Sequence, residues 1–327
     1  MEPRSIYLDQ NKWVDLGRAY HGRPNGAEFA DALAASERAV TAGTAFFPLS
    51  VAHYEETAMV ADLGRRDRLA EVMEVLSGFT TIASQLRIVP VELEWALHRC
   101  LDRPAEPAEL VLYGFGAAHA FDDQQLGYRP PPEAPPDIQE RFVAAARAAG
   151  FHLVLERILL RGRGLDAATR SGARAVDEQF LNSRATAQAL LRKHAAASGL
   201  ALRDGVFGMV LAEIWEPLVT TLSSARITLD QFFANVDLRD FVLDLPSRRV
   251  IAELQRAQHA GAARFKRGDL KDLGFLAVAV AYCDVVITEK QWAHVIRQAK
   301  LDEVFDTVVT DDVAQLPDIL ATSTSAA

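Results

Sequence analysis

The chain has few cysteines and no long apolar run. Cys100 and Cys283 are the only cysteines in 327 residues, and they lie far apart without metal-ligand spacing. This excludes a disulfide framework and predicts reduced thiols. No apolar stretch is long enough to cross a bilayer, and the N-terminus lacks a basic start followed by an apolar segment. We therefore expect a cytoplasmic protein that makes no membrane contact.

Other common signatures are also missing. None of the eight histidines forms an HExxH or zinc-finger pattern, and Gly114–Gly116 lacks the third glycine of a nucleotide-binding loop. The formal net charge of −9 argues against a protein that coats polyanions with its whole surface. Residues 140–203 nevertheless hold eleven Arg and Lys against five Asp and Glu. This basic middle indicates either a second lobe or the solvated faces of Arg-rich helices.

The apolar segments predict an α/β fold with a parallel sheet flanked by helices. Short strands are predicted at 5–8, 44–48, 285–288 and 307–310, with helices between them. We interpret residues 80–89 as short extended segments.

The middle of the chain has a different character. Residues 129–136 read RPPPEAPP, which is typical of a stiff linker or loop. Stretches rich in Ala, Leu and Arg, with helical periodicity, follow at 138–149, 151–160, 167–198 and 206–223. The sequence therefore predicts a discontinuous α/β domain, residues 1–90 and 240–327, interrupted by a large all-helical insertion, residues 91–239.

Acidic residues follow the predicted strands or lie in the helices beside them. Asp9 follows the first strand and Glu289 follows the strand at 285–288. In an open parallel sheet, ligands bind beyond the carboxyl ends of the strands. Hard divalent cations prefer such oxygen ligands, so we predict a Mg²⁺ or Mn²⁺ site with phosphodiesterase chemistry. The candidate metal ligands are Asp9, Glu56, Asp269, Asp272, Asp284 and Glu289.

Each acid also has a structural alternative. Asp9 is a candidate cap for the following helix, and Thr288–Gln291 matches a capping box around Glu289. Asp269 and Asp284 are candidate turn or cap residues, and Glu55 and Glu56 are candidates for a solvated helix face. For His53, packing or capping is favoured over metal ligation.

Four motifs together resemble the PIN-domain family. They are Tyr7–Asn11 (YLDQN), Pro48–Thr57 (PLSVAHYEET), Asp269–Asp272 (DLKD) and Ala281–Lys290 (AYCDVVITEK). The resemblance covers about residues 4–90 and 240–321 and leaves out the helical middle. PIN domains are metal-dependent ribonucleases and include toxins of toxin–antitoxin pairs. The resemblance implies a PIN-like parallel sheet and a ribonuclease that cleaves single-stranded RNA with a metal-activated water.

The resemblance also implies roles for individual acids. Asp9, Glu56 and Asp272 would hold the main ion, with Glu289 as a further ligand or water-orienting group. Asp284 would be an outer-shell acid. Glu289 departs from the family pattern, in which the last acid is usually aspartate, and Asp269 and Asp284 remain alternatives to Asp272.

Basic residues near the acidic helix are candidates for binding substrate phosphates. They are Arg248, Arg249, Arg264, Lys266, Arg267 and Lys271. Expected partners are single-stranded RNA and a protein regulator or antitoxin, and self-association remains open.

Two other functions compete with this interpretation. Haloacid-dehalogenase-type phosphatases also begin with a strand that ends in Asp, but they need a second aspartate where this chain has Asn11, which disfavours them. The non-enzymatic alternative is a catalytically inactive PIN-like scaffold that binds RNA or a protein through its helical insertion.

Overall fold

A computed structural model describes residues 2–101, 108–123, 126, 133–162, 202–260 and 269–322. The description excludes the side chains of residues 202–204, 259–260 and 269–272. The helix predicted at 167–198 lies outside the described residues.

Helices make up most of the described chain. They are α1 (Gln10–Tyr20), α2 (Ala30–Thr41), α3 (Val51–Met59), α4 (Leu63–Ser77), α5 (Gln85–Leu101), α6 (Gly116–Ala120), α7 (Pro136–Ala148), α8 (Phe151–Leu160), α9 (Leu202–Glu213), α10 (Trp215–Ser224), α11 (Leu229–Asn235), α12 (Leu238–Leu243), α13 (Pro246–Ala260), α14 (Asp269–Tyr282), α15 (Lys290–Gln298), α16 (Leu301–Phe305) and α17 (Leu316–Ala321). Short 3₁₀ helices span Pro24–Phe29 and Val313–Gln315.

The strands form a parallel sheet and a small antiparallel pair. They are β1 (Arg4–Leu8), β2 (Ala45–Phe46), β3 (Thr80–Ile82), β4 (Tyr113–Phe115), β5 (Val285–Ile287) and β6 (Val308–Thr310). The sheet has the order β2-β1-β5-β6, and every neighbouring pair in it is parallel. The α/β prediction with a parallel sheet flanked by helices is therefore confirmed.

The sheet has a topological switch point between β1 and β5. From β1 the chain continues to β2 on one side, whereas from β5 it continues to β6 on the other side. The connections that leave these two central strands therefore diverge and open a crevice at their carboxyl ends. Open α/β sheets bind ligands at such crevices.

Alternate residues of the central strands face two hydrophobic layers. Ile6 pairs with Val285 and Leu8 with Ile287, and all four pack with α1, α2 and α4. Tyr7 pairs with Val286, and both face the opposite layer, which contains α5, α13 and α14. Each such fully buried aliphatic side chain contributes about 1.5–3 kcal/mol through the area removed from water.

Helices from the predicted insertion belong to this second layer. Val206 on α9, Leu218 on α10 and Phe232 on α11 are buried in the same hydrophobic cluster as Tyr7 and Val286. The predicted boundary at residue 90 lies within α5. The division into two domains remains a prediction.

The expectation of extended structure at 80–89 is wrong after Ile82. The carbonyl of Ser84 accepts hydrogen bonds from the amides of Arg87 and Ile88 and opens α5. The β-branched pair before Pro90 favours extended backbone locally. Burial of Ile88, Val89 and Leu93 against the second layer stabilises the helix instead.

Two further expectations for the middle of the chain need correction. The insertion is not all-helical, because β4 pairs antiparallel with β3, placing Thr80 opposite Phe115. The single helix predicted at 206–223 is two helices, α9 and α10, which meet at Ile214 with a 65° bend. Pro217 lies in the first turn of α10 and has no amide hydrogen to continue α9.

No single helix among the described residues is long and apolar enough to cross a membrane. Only the bent pair Gly205–Glu213 and Trp215–Ser224, taken together, reaches that length and composition.

Candidate active site at the carboxyl edge of the sheet

Asp9 lies at the switch point, directly after β1. Its amide donates to the carbonyl of Ile287 on β5 at 2.9 Å, which fixes Asp9 beside the end of that strand. Asp9 is also the N-cap of α1, since Oδ1 accepts from the Gln10 amide at 3.0 Å. Oδ2 accepts from the Thr288 hydroxyl at 2.9 Å. The predicted capping role of Asp9 is confirmed, and the capping hydrogen bond uses one oxygen of its carboxylate.

The surroundings of Asp9 disfavour its negative charge. Burial raises the pKa of its carboxyl group, and the hydrogen bonds from Thr288 and Gln10 only partly oppose this. The nearby negative charge of Glu289 raises the pKa further, whereas the charge of Lys12 lowers it. Two carboxylates therefore share one edge, and the hydrogen bonds and the charge of Lys12 compensate the burial of Asp9 only in part.

Glu289 follows β5 as the N-cap of α15, but its side chain does not cap that helix. The proposed capping box is wrong, because the hydroxyl of Thr288 is directed to Asp9 instead. Glu289 is exposed, and its Oε1 accepts from Asn11 Nδ2 at 3.3 Å. The side chain of Glu289 therefore points back to the start of α1, toward Asp9.

Lys12 adds a positive charge at this edge that the sequence interpretation missed. Its Nζ donates to the carbonyl of Asp311 at 2.7 Å, just beyond the end of β6. The signal was present, because Lys12 lies three residues after Asp9, on the same face of α1. The carboxyl ends of β1, β5 and β6 are thus joined by side chains from the first turn of α1.

Helix α3 borders the same region. Gln10 Nε2 donates to the Thr57 hydroxyl at 3.1 Å, so α3 is tied to the start of α1 one residue after Glu56. Glu55 and Glu56 are both partly buried. The choice of Glu56 over Glu55 as a metal ligand remains a prediction.

His53 has the structural role that was favoured for it. Its Nδ1 accepts from the Ser50 amide at 2.8 Å, and its Nε2 donates to the carbonyl of Leu8 at 2.8 Å. Complete burial lowers its pKa to about 4, so the ring is neutral. His53 thereby holds the end of β1 against α3.

The acids of α14 are placed by their backbone only. Asp269 and Asp272 lie in the first turn of the helix that leads into β5, and their side chains, with that of Lys271, lie outside the described part. Among the described residues, no group of three His, Cys, Asp or Glu is placed to hold a metal ion. The metal roles of Asp269 and Asp272 remain predictions.

Asp284 does not belong to this edge. It precedes β5, and its Oδ2 accepts from the amide and hydroxyl of Ser5, both at 2.7 Å, near the start of β1. In a parallel sheet the starts of neighbouring strands lie at the opposite edge from their carboxyl ends. The prediction of Asp284 as a catalytic or metal-binding acid is therefore wrong.

Arg248 is not available to substrate. It is 3% exposed, donates to the side chains of Gln85 and Ser247, and lies close enough to Glu92 to lower the pKa of that carboxyl group. The predicted phosphate contact of Arg248 is wrong, because burial commits its charge to the protein interior. Arg249 is partly exposed on α13. Arg264, Lys266 and Arg267 lie outside the described residues.

Glu92 is a fully buried acid in the second hydrophobic layer. Its carboxylate accepts from the Ser247 amide at 2.8 Å and from the hydroxyls of Ser247 and Tyr282, both at 2.7 Å. Burial raises its pKa, which these hydrogen bonds partly oppose. These contacts tie α5 to the start of α13 and the end of α14.

Comparison with known proteins adds no identification. No protein-family model, curated protein or solved structure matches this chain.

Proposed function

We propose that this protein is a Mg²⁺- or Mn²⁺-dependent phosphodiesterase and, within that class, a ribonuclease that cleaves single-stranded RNA. The observation that carries the proposal is the pairing of Asp9 with Glu289 at the switch point of the sheet. Asp9 is desolvated, and its pKa is raised by burial and further by Glu289. The preference for RNA rests on the resemblance of the sequence motifs to PIN domains.

The oxygen atoms at this edge fit a hard divalent cation. A carboxylate has about four lone-pair positions, and one hydrogen bond reaches each oxygen of Asp9. The adjacent Gln10 Oε1 is buried and has no hydrogen-bond partner within the described part of the chain. Unmet oxygens beside two like charges are the environment that Mg²⁺ or Mn²⁺ stabilises.

The ion would be held by Asp9 and Glu289, joined by Glu56 and Asp272 as the resemblance implies. When bound, a divalent cation lowers the pKa of a water ligand and neutralises charge on a leaving oxygen.

The chain's own residues contribute orientation and charge. Thr288 fixes the direction of the Asp9 carboxylate and Asn11 that of Glu289. Lys12 supplies a positive charge at the carboxyl ends of β1 and β6, where a substrate phosphate would approach.

The test compares one acid at this edge with one acid at the opposite edge. Purified protein, Asp9→Asn and Asp284→Asn are incubated with labelled single-stranded RNA and DNA in Mn²⁺, Mg²⁺ or EDTA. We expect metal-dependent cleavage of RNA that falls at least roughly a hundredfold in Asp9→Asn and persists in Asp284→Asn. Far-ultraviolet circular dichroism and urea unfolding establish that both variants are folded.

Two results would overturn the proposal. Cleavage that survives EDTA would exclude the metal, and equal activity of Asp9→Asn and the unmodified protein would exclude the site. Absence of cleavage together with absence of Mn²⁺ binding by calorimetry would support the inactive scaffold instead.

A further inference from the structure

A second polar feature lies at the other end of α1. It is a cavity of about 280 Å³ between the second half of α1, the following loop and the start of α4. Its polar lining consists of Arg18, His21, Arg23, Asn25, Arg65 and Arg68, and none of its lining residues is acidic. Four arginines thus converge on one small space in a chain whose net charge is −9.

The charges in this cavity are poorly balanced. Arg18 forms an ion pair with Asp15 at 2.8 Å. The side chains of Arg23, Arg65 and Arg68 have no ion pair among the described residues. Like charges held together in a concave space raise the local potential and concentrate anions there.

Several acids lie near the cavity, and each has a contact within the protein. Asp62 accepts from the Arg65 amide at 2.7 Å as the N-cap of α4, and Asp67 pairs with Arg161 at 3.5 Å. Glu71 lies 3.8 Å from His21, which is itself a lining residue. Arg23, Arg65 and Arg68 have no such acidic partner among the described residues, so the lining keeps an excess of positive charge that a ligand can neutralise.

Backbone contacts fix the segments that line the cavity, so its arginines lie on ordered elements. A Cβ on Gly26 would lie 2.3 Å from the backbone of Arg18, so only glycine permits this loop to fold down on α1. His21 Nε2 donates to the carbonyl of Arg68 at 2.9 Å and joins the end of α1 to α4. These two contacts hold Arg23 and Asn25 over the cavity.

We propose that this cavity binds a terminal phosphate group, that is, a phosphomonoester. Such a group carries close to two negative charges at neutral pH and three oxygens that accept the paired N–H groups of arginine. The volume is at the small end of ligand pockets, which suits a phosphate with a small attached group. Two kinds of molecule carry such a terminal phosphate: a small phosphorylated metabolite and the phosphorylated end of a nucleic acid strand.

The cavity is separate from the carboxylate edge. Arg18, the cavity arginine on α1, lies nine residues after Asp9, about 14 Å along the helix. The proposal therefore does not depend on the proposed nuclease activity, and Asp9→Asn is expected to bind the phosphate normally.

The experiment measures binding by calorimetry at low salt. The ligands are inorganic phosphate, a nucleoside 5′-monophosphate, its nucleoside, and one short oligonucleotide with either a 5′-phosphate or a 5′-hydroxyl. The proteins are the unmodified chain, Arg23→Ala/Arg65→Ala, and the control Arg141→Ala/Arg239→Ala. Each double variant removes two positive charges. All four substituted arginines are exposed, so we expect little cost to folding.

We expect the phosphorylated ligands to bind and the pocket variant to bind them at least roughly tenfold more weakly than the control variant. Saturation by the monophosphate assigns a small metabolite, whereas binding of the 5′-phosphorylated oligonucleotide alone assigns a strand end. Equal affinity of the two double variants, or no binding of any phosphorylated ligand by the unmodified protein, would overturn the proposal.

Discussion

Asp9 at the carboxyl edge of the sheet and Glu92 in the second hydrophobic layer are both desolvated acids, and their surroundings differ. Burial raises the pKa of both Asp9 and Glu92. Glu92 receives three hydrogen bonds, and the positive charge of Arg248 lies near it. Asp9 receives two hydrogen bonds and lies beside the negative charge of Glu289.

This difference separates a structural acid from a candidate functional one. The protein interior satisfies Glu92, which joins three helices by contacts that no external ligand is needed to complete. The edge that holds Asp9 and Glu289 gathers negative charge at a ligand-binding position of the fold. Burial and a raised pKa are common to both acids, so the partners of each acid decide its role.

The largest expected effect is loss of stability on removal of Glu92. Glu92→Ala leaves Ser247, Tyr282 and Arg248 with unmet polar groups in the interior, so the free energy of unfolding should fall by about 3–5 kcal/mol. Urea unfolding measures the change, and Glu94→Ala, a partly buried neighbour on α5, is the control with a loss of about 1 kcal/mol or less. Equal losses of stability in Glu92→Ala and Glu94→Ala would show that the buried contacts of Glu92 do not stabilise the fold. The contrast between Glu92 and Asp9 would then no longer hold.

A smaller effect is expected on catalysis when Asp9 loses a partner. Thr288→Val deletes the hydroxyl that donates to Asp9, so the pKa of Asp9 should rise and the acid limb of the pH–rate profile should move to higher pH. Cleavage at neutral pH should fall roughly tenfold. Thr288→Ser keeps the hydroxyl and should restore the profile, and failure to do so would assign the loss to packing.

The next prediction concerns the pH dependence of stability in EDTA. The folded pKa of Asp9 is raised, so its ionisation costs stability as pH rises from the ordinary value of 3.8 through the folded value. Asp9→Asn removes this cost. Its stability relative to the unmodified protein should therefore increase across that window and level off above it.

Urea unfolding between pH 3.5 and neutrality, roughly spanning the range where acids titrate, measures this gain. A variant that becomes relatively less stable with rising pH would show that the folded protein stabilises the ionised form of Asp9, contrary to this prediction.

The smallest effect is expected at the opposite edge of the sheet. Asp284→Asn keeps an oxygen that accepts from Ser5, so stability should fall by about 1 kcal/mol or less and cleavage should be unchanged. The cleavage assay with single-stranded RNA checks this. Loss of activity in a fully folded Asp284→Asn would return this acid to the site.

The sequence predicts well where local pattern and strand direction suffice. The β-branched run Val285–Ile287 and the apolar Ser5–Leu8 indicate strands, and in a parallel sheet the residues that follow them share one edge. Asp9 and Glu289 could therefore be placed at one edge of the sheet from the sequence alone. Asp284 could have been excluded by the same rule, because it precedes its strand.

Contacts between distant segments could not be predicted this way. Arg248 is committed to Gln85 and Ser247, and its charge lies near Glu92, more than 150 residues away in sequence. The strand Tyr113–Phe115 is three residues long and becomes recognisable only through its pairing with β3. The Thr288 hydroxyl donates to Asp9 and does not cap α15. Packing between the strands sets this direction, so it too could not be predicted from local sequence.

The parallel pairing of β1 with β5 also sets the order of events during synthesis. Asp9 and Ile287 are joined by a hydrogen bond across almost the whole chain. At roughly 5–20 residues per second, a ribosome needs about 15–60 s after making Asp9 to deliver its partner strand. Until then Asp9 and Glu289 are not brought together, and β1 has no β5 to pair with. The chain therefore folds with a built-in delay, and its candidate site is among the last parts of the molecule to form.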